Sequence, residues 1–96
     1  MKRKLKKKTK RPISRSEDYY FRLGYAFHTE GDLEQAAEYY IRSIEINPTP
    51  NAHTFLANVL RQFGELDAAI EECKVALELD PQYGNALNDL GAYLME

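Results

Sequence analysis

The side chains of this 96-residue chain that could do chemistry are two histidines, one cysteine and fifteen carboxylates. His28 and His53 are far apart in sequence, with no cysteine or carboxylate at metal-ligand spacing, so they do not read as a zinc site and no metal is expected. Cys73 falls on an apolar stripe, where a thiol behaves as a small buried side chain rather than a nucleophile. As the one cysteine it excludes an internal disulfide, and the count fits a reducing compartment. The runs Glu34/Glu38 and Glu71-Glu72 read as solvated helix faces, with nothing to pair them into an acid–base couple. No glycine-rich phosphate loop is present. The expectation is a protein without catalytic residues or cofactor: a surface for binding, not a pocket for reaction.

The elements that must carry such a surface show in a repeat. The stretch from Glu17 to Pro48 is echoed thirty-three residues later from Pro50 to Pro81. Leu23-Gly24 matches Leu56-Ala57, Gly31-Asp32 matches Gly64-Glu65, Ala36 matches Ala69, and Asn47-Pro48 matches Asp80-Pro81. A third copy opens at Gly84 with Leu87, Leu90-Gly91 and Leu94. In each copy apolar residues recur at helical spacing on both sides of a glycine: Tyr20, Leu23 and Phe27, then Leu33, Ala36, Tyr40 and Ile44.

Gly31 and Gly64 suit the left-handed turn that ends a helix. Asp32 can cap the next helix, with Gln35 completing a capping box. Pro48 and Pro81 cannot continue a helix and so end the second one of each copy. The predicted helices are about 17–29, 33–46, 51–62, 66–79 and 84–95, with loops short enough to make neighbours antiparallel. Small residues recur where helices would cross: Gly24, Ala57 and Gly91 in the first helices, Ala36 and Ala69 in the second. A mid-helix glycine costs about 1 kcal/mol relative to alanine, so Gly24 and Gly91 suggest a packing demand.

These residues carry a resemblance. Tyr20-x2-Leu23-Gly24-x2-Phe27, then Ala36-x3-Tyr40 and Pro48, resembles the tetratricopeptide repeat pattern. His53-x2-Leu56-Ala57-x2-Leu60, Ala69-x3-Cys73 and Pro81 follow, and Leu87-x2-Leu90-Gly91-x2-Leu94 gives half of a third copy. The first copy is 33 residues rather than 34, tryptophan is missing, and Cys73 replaces the usual aromatic. The resemblance implies an all-α fold: antiparallel helix hairpins stacked as a short right-handed α-solenoid of about 2.5 units. The division is repeat 1 at 17–49, repeat 2 at 50–83 and a partial repeat 3 at 84–96, preceded by a basic arm at 1–16.

The resemblance further implies a protein–protein interaction module, holding a peptide or helix of a partner in a groove lined by the first helix of each pair. Projected onto this chain, that groove takes Phe21, Tyr25 and His28 from the first copy. Thr54, Asn58, Arg61 and Gln62 come from the second, and Asn85, Asn88 and Ala92 from the third. A known family activity is to clamp a chaperone's C-terminal carboxylate with lysine, arginine and asparagine. The corresponding places here hold Phe21, Tyr25, Phe55, Asn85 and Asp89. With no lysine available and Asp89 repelling a carboxylate, that clamp is not expected.

Charge is divided along the chain. Lys2, Arg3, Lys4, Lys6, Lys7, Lys8, Lys10, Arg11 and Arg15 give the first sixteen residues nine positive charges and no acid. Residues 17–96 hold four basic residues against all fifteen acids, a balance of −11. The arm is too charged and too poor in apolar residues to fold alone. It is open to three readings: contact with nucleic-acid phosphates, a nuclear import signal, or an inert solubilising extension. The first would make the chain a nucleic-acid- or ribosome-associated adaptor.

No apolar run approaches the roughly 20 residues that cross a bilayer, and the arm is not followed by the apolar segment of a secretory signal. The cytoplasm is the expected location, or the nucleus where there is one. The half copy leaves Leu87, Leu90 and Leu94 short of cover, which suggests self-association through the C-terminal helix, or a shortened version of a longer array.

Overall fold

The computed structural model describes residues 16–96, and the basic arm, apart from Ser16, lies outside them. Five helices follow one another: α1 (Glu17–Thr29), α2 (Leu33–Ile46), α3 (Pro50–Gln62), α4 (Leu66–Leu79) and α5 (Gly84–Leu94). Among the described residues there is no strand. α1 pairs with α2 and α3 with α4; α2 packs on α3, α4 on α5, and α3 touches α5 directly. The result is the expected all-α stack of helix hairpins.

The ends of the helices follow from local chemistry. Ser16 caps α1 by accepting from the Tyr19 N–H at 3.3 Å. Thr49 does the same for α3 at Ala52, and Pro50 then occupies the first helical turn, where its missing N–H costs nothing. α3 therefore begins at Pro50, one residue before the predicted start.

α1 and α3 end in the same way. Gly31 has φ 86° and Gly64 φ 88°. The Asp32 N–H donates back to the Phe27 carbonyl and the Glu65 N–H to the Leu60 carbonyl, both at 2.9 Å. This spends the Asp32 N–H, so the predicted capping box is only half formed. Asp32 accepts from the Gln35 N–H at 3.2 Å, but its own N–H points to Phe27, not to the Gln35 side chain.

Two clusters form the core. Ala36, Tyr40, Leu56 and Val59 make the first, and Ala57, Ala69, Cys73 and Tyr93 the second; Leu60 packs against both and joins them. The small residues sit at the helix crossings, with Ala36, Ala57 and Ala69 fully buried. At Gly24 a Cβ would lie 2.6 Å from the Tyr40 ring, so α1 crosses α2 at a distance only glycine permits.

The second copy solves the same crossing differently. Ala57 replaces the glycine and Cys73 the tyrosine, and Tyr93 from α5 contributes the ring to that cluster. The departure of Cys73 from the family's aromatic is thus a compensated exchange of volume. Gly91 does not repeat the demand: nothing lies within 4 Å of a Cβ there, because no described helix packs on that face. Leu87, Leu94 and Met95 are exposed on the same helix.

The two glycines therefore separate in a stability measurement. Gly24→Ala should lower the unfolding free energy by about 1–3 kcal/mol, the usual cost of forcing extra volume into a packed crossing. Gly91→Ala should instead leave it unchanged or raise it by up to about 1 kcal/mol. Urea titrations followed by circular dichroism read both.

Candidate functional site

The first helices of the three copies meet in a concavity of about 280 Å³, lined by His28 of α1, Thr54, Phe55 and Asn58 of α3, and Asn85 and Asp89 of α5. Each side chain is set by what lies beneath it. Tyr40, fully buried in α2, directs its hydroxyl to Nδ1 of His28 at 3.0 Å. Nε2 of His28 meets Oδ1 of Asn58 at 3.1 Å. An amide oxygen only accepts, so in this contact Nε2 donates to Asn58, which leaves Nδ1 to accept the tyrosine's hydrogen bond. Gln62 adds a donor to the same Asn58 oxygen. The imidazole is held by both nitrogens, which ties α1, α2 and α3 together at the rim of the concavity.

The wall beside this rim is aromatic. Phe55 lies edge-on to Phe21 (5.2 Å between centroids), Tyr25 (5.9 Å), Tyr40 (5.8 Å) and His28 (6.3 Å). Such edge-to-face pairs add about 0.5–1.5 kcal/mol each to simple burial, so this wall is rigid.

Of the ten residues expected in the groove, His28, Thr54, Asn58 and Asn85 line the concavity together. Thr54 is 3% exposed and donates its hydroxyl to the Pro50 carbonyl at 2.7 Å, so it contributes little more than shape. Phe21 and Tyr25 support Phe55 from behind and beside, while Gln62 braces Asn58. Arg61 is held by Glu96 at 2.8 Å. Asn88 and Ala92 are exposed on α5 but do not line the concavity. In their place stand Phe55 and Asp89, two of the positions that correspond to the family's carboxylate clamp.

The i, i+4 spacing of Asn85 and Asp89, which puts them on one helix face, was the available signal. One further reading needs correction. Glu72 is not simply solvated: it meets Nδ1 of the buried His53 at 2.6 Å, bridging α3 and α4. Glu71, by contrast, stays at the surface beside Lys74.

Electrostatics in the concavity centre on Asp89. Burial holds its carboxyl above the ordinary carboxylate pKa. Behind it, the Cys73 thiol is pushed up to about 11, first by burial and then by Asp89 and Glu72. The Tyr93 phenol is raised by burial and, next, by Asp89. The Asn58 side chain, close to that buried hydroxyl, acts in the opposite direction and lowers it. Among the described residues no group of three or more histidine, cysteine, aspartate or glutamate side chains could hold a metal ion, and no helix is long and apolar enough to cross a membrane.

Two measurements follow. His28→Ala should cost about 1–3 kcal/mol, because it strands the buried Tyr40 hydroxyl. Adding Tyr40→Phe to that variant should recover part of the loss, which a double-mutant cycle in urea would show. For Asp89 the sign is opposite to that of a salt-bridged acid. A carboxyl raised on folding binds protons more readily in the native state, so its ionisation costs stability as pH rises through the carboxylate range. Asp89→Asn should therefore stabilise the fold at pH 7, and the gain should vanish at pH 3, read from thermal midpoints at both values.

Comparison with known proteins agrees with this architecture. The tetratricopeptide repeat pattern matches residues 17–50 and again residues 50–83. The type IV pilus assembly protein PilF of Pseudomonas aeruginosa is 33% identical over 90 residues, covering 93% of this chain and 36% of that protein. Sperm-associated antigen 1 of Mus musculus is 40% identical over 62 residues, covering 65% of this chain and 7% of that one. The chain thus spans little more than a third of the first of these relatives and under a tenth of the second.

Among solved structures, the first and second tetratricopeptide domains of Spaghetti (RPAP3), each bound to the HSP90 peptide SRMEEVD, superpose with TM-scores of 0.79 and 0.80. Their identities are 21% and 23%, over 83% and 84% of this chain and 66% and 76% of theirs. Two successive matches, together spanning residues 17–83, make this chain a member of the tetratricopeptide repeat family.

Proposed function

We propose that this protein-interaction module binds an extended segment of another protein in the concavity between α1, α3 and α5. The observation that carries the reading is that three helices from three repeats converge on one recess with unequal walls. One wall is a rigid aromatic cluster around Phe55, and the other offers the amide of Asn85 with the carboxylate of Asp89. Apolar anchors beside a few convergent polar groups suit a peptide whose backbone is bonded by amides and whose side chains fill the recess. At about 280 Å³ the recess is at the small end for a cofactor but ample for one long side chain.

The solved neighbours hold an acidic peptide. A ligand of that kind does not suit this groove, where Asp89 faces the recess and the cation at its end, Arg61, is already held by Glu96.

Site-specific photocrosslinking tests the reading. Benzoylphenylalanine in place of the half-exposed Tyr25, beside Phe55, should yield crosslinks to a partner protein in cells. The same residue in place of the exposed Glu78, on α4, should not. Equal crosslinking from both positions, or crosslinks from Glu78 alone, would remove the groove as the binding surface.

A further inference from the structure

The described part of the chain contains four cations other than histidine, and every one is engaged by a carboxylate on the same chain. Arg22 meets Asp18 at 3.0 Å, Arg42 meets Glu38 at 2.7 Å, Arg61 meets Glu96 at 2.8 Å, and Lys74 meets Glu71 at 3.6 Å. None is left to compensate Asp89, which has no lysine or arginine within ion-pair distance among the described residues. That carboxylate is partly withdrawn from water against α3 and α4, and the cost appears as its raised pKa. An uncompensated, desolvated charge in a binding recess is a group whose partner has to come from elsewhere.

Three further features give that partner a shape. Phe55 presents a ring along the recess, against which the methylene stem of a long side chain can lie and over which a cation is attracted. Asn85, exposed on the turn before Asp89, offers an amide oxygen as a second acceptor. Tyr93, buried beside Asp89, supplies a phenol and no positive charge to that carboxylate. Beyond the recess, residues 17–96 carry a balance of −11, which steers positive ligands towards this body and repels acidic ones.

From this juxtaposition we infer that the recess receives a lysine or arginine side chain of a basic partner peptide, its charge seated on Asp89 and Asn85 and its stem along Phe55. The inference rests on the groove being the binding surface and adds the chemistry of what it takes. It reverses the charge preference of an array that captures acidic peptides.

Selection from phage-displayed randomised dodecapeptides, carried out on the full chain, tests it. The enriched peptides should share a lysine or arginine. Fluorescence titration of one of them should show Asp89→Asn weakening binding by about tenfold or more, the fold-change for a lost charge-assisted contact. Glu78→Gln, an equal change of charge on α4, should move it by less than about twofold. Asn85→Trp, which fills the recess from an exposed position, should abolish binding.

Enriched peptides without a basic residue that are still lost on Asn85→Trp would overturn the cationic ligand and leave the groove standing. No enrichment, or binding indifferent to Asn85→Trp, would overturn both. Enrichment only after Lys6, Lys7 and Lys8 are changed to glutamine would give the recess to the chain's own basic arm and remove the partner as its occupant.

Discussion

The crossing of α1 over the ring of Tyr40 at Gly24 is the constraint on which the rest depends. A Cβ at Gly24 would sit 2.6 Å from that ring, so the approach exists only because the side chain is missing. The closeness buries Tyr40 completely, and complete burial obliges its hydroxyl to find a partner. The partner is His28, whose other ring nitrogen then reaches Asn58 on the next repeat. A backbone approach between two helices of one copy thereby becomes a hydrogen-bonded link to the following copy, and that link forms the rim of the recess. The packing constraint and the polar site are one connected structure.

The second repeat shows why the family pattern can tolerate a missing aromatic. Position by position, Gly24 and Tyr40 become Ala57 and Cys73: the larger residue on one helix is met by the smaller on the other, and Tyr93 enters the same cluster from α5. The space left by the missing tyrosine is filled from the next helix, as expected where interiors are packed near crystal density. The same burial bears on Cys73. Its thiol is buried and pushed up to about 11, far from the thiolate range that nucleophilic or redox chemistry needs.

Much of the fold could be read in the sequence because helix periodicity, glycine at the turns and proline after the second helix all repeat at one phase. The groove was harder, for a geometric reason. Phase assigns equivalent positions in successive copies, and by phase Asn88 and Ala92 correspond to Thr54 and Asn58. Successive first helices do not present equivalent faces to a shared recess, since each copy is turned relative to the last. On α5, Asn85, one of the expected residues, reaches the recess together with Asp89, which stands one residue, or about 100°, from the phase prediction at Asn88. The helix ends show a smaller version of the same limit. Gln35 stands where a capping box needs it, but the Schellman turn at Gly31 had already taken the Asp32 N–H.

Asp89 is where the demands of stability and of binding part. An asparagine of nearly the same shape would line the recess without a desolvated charge, and the four lysines and arginines of the described residues are held in surface pairs with carboxylates three or four residues away, or with Glu96. Exposed pairs of that kind contribute little to folding, so the arrangement is not explained by the energy they add. Their consequence is electrostatic: they neutralise the body's few positive charges locally and leave the recess with an acid alone. A carboxylate partly withdrawn from water, in a recess with no lysine or arginine among its lining residues, makes physical sense when the missing charge arrives with the ligand.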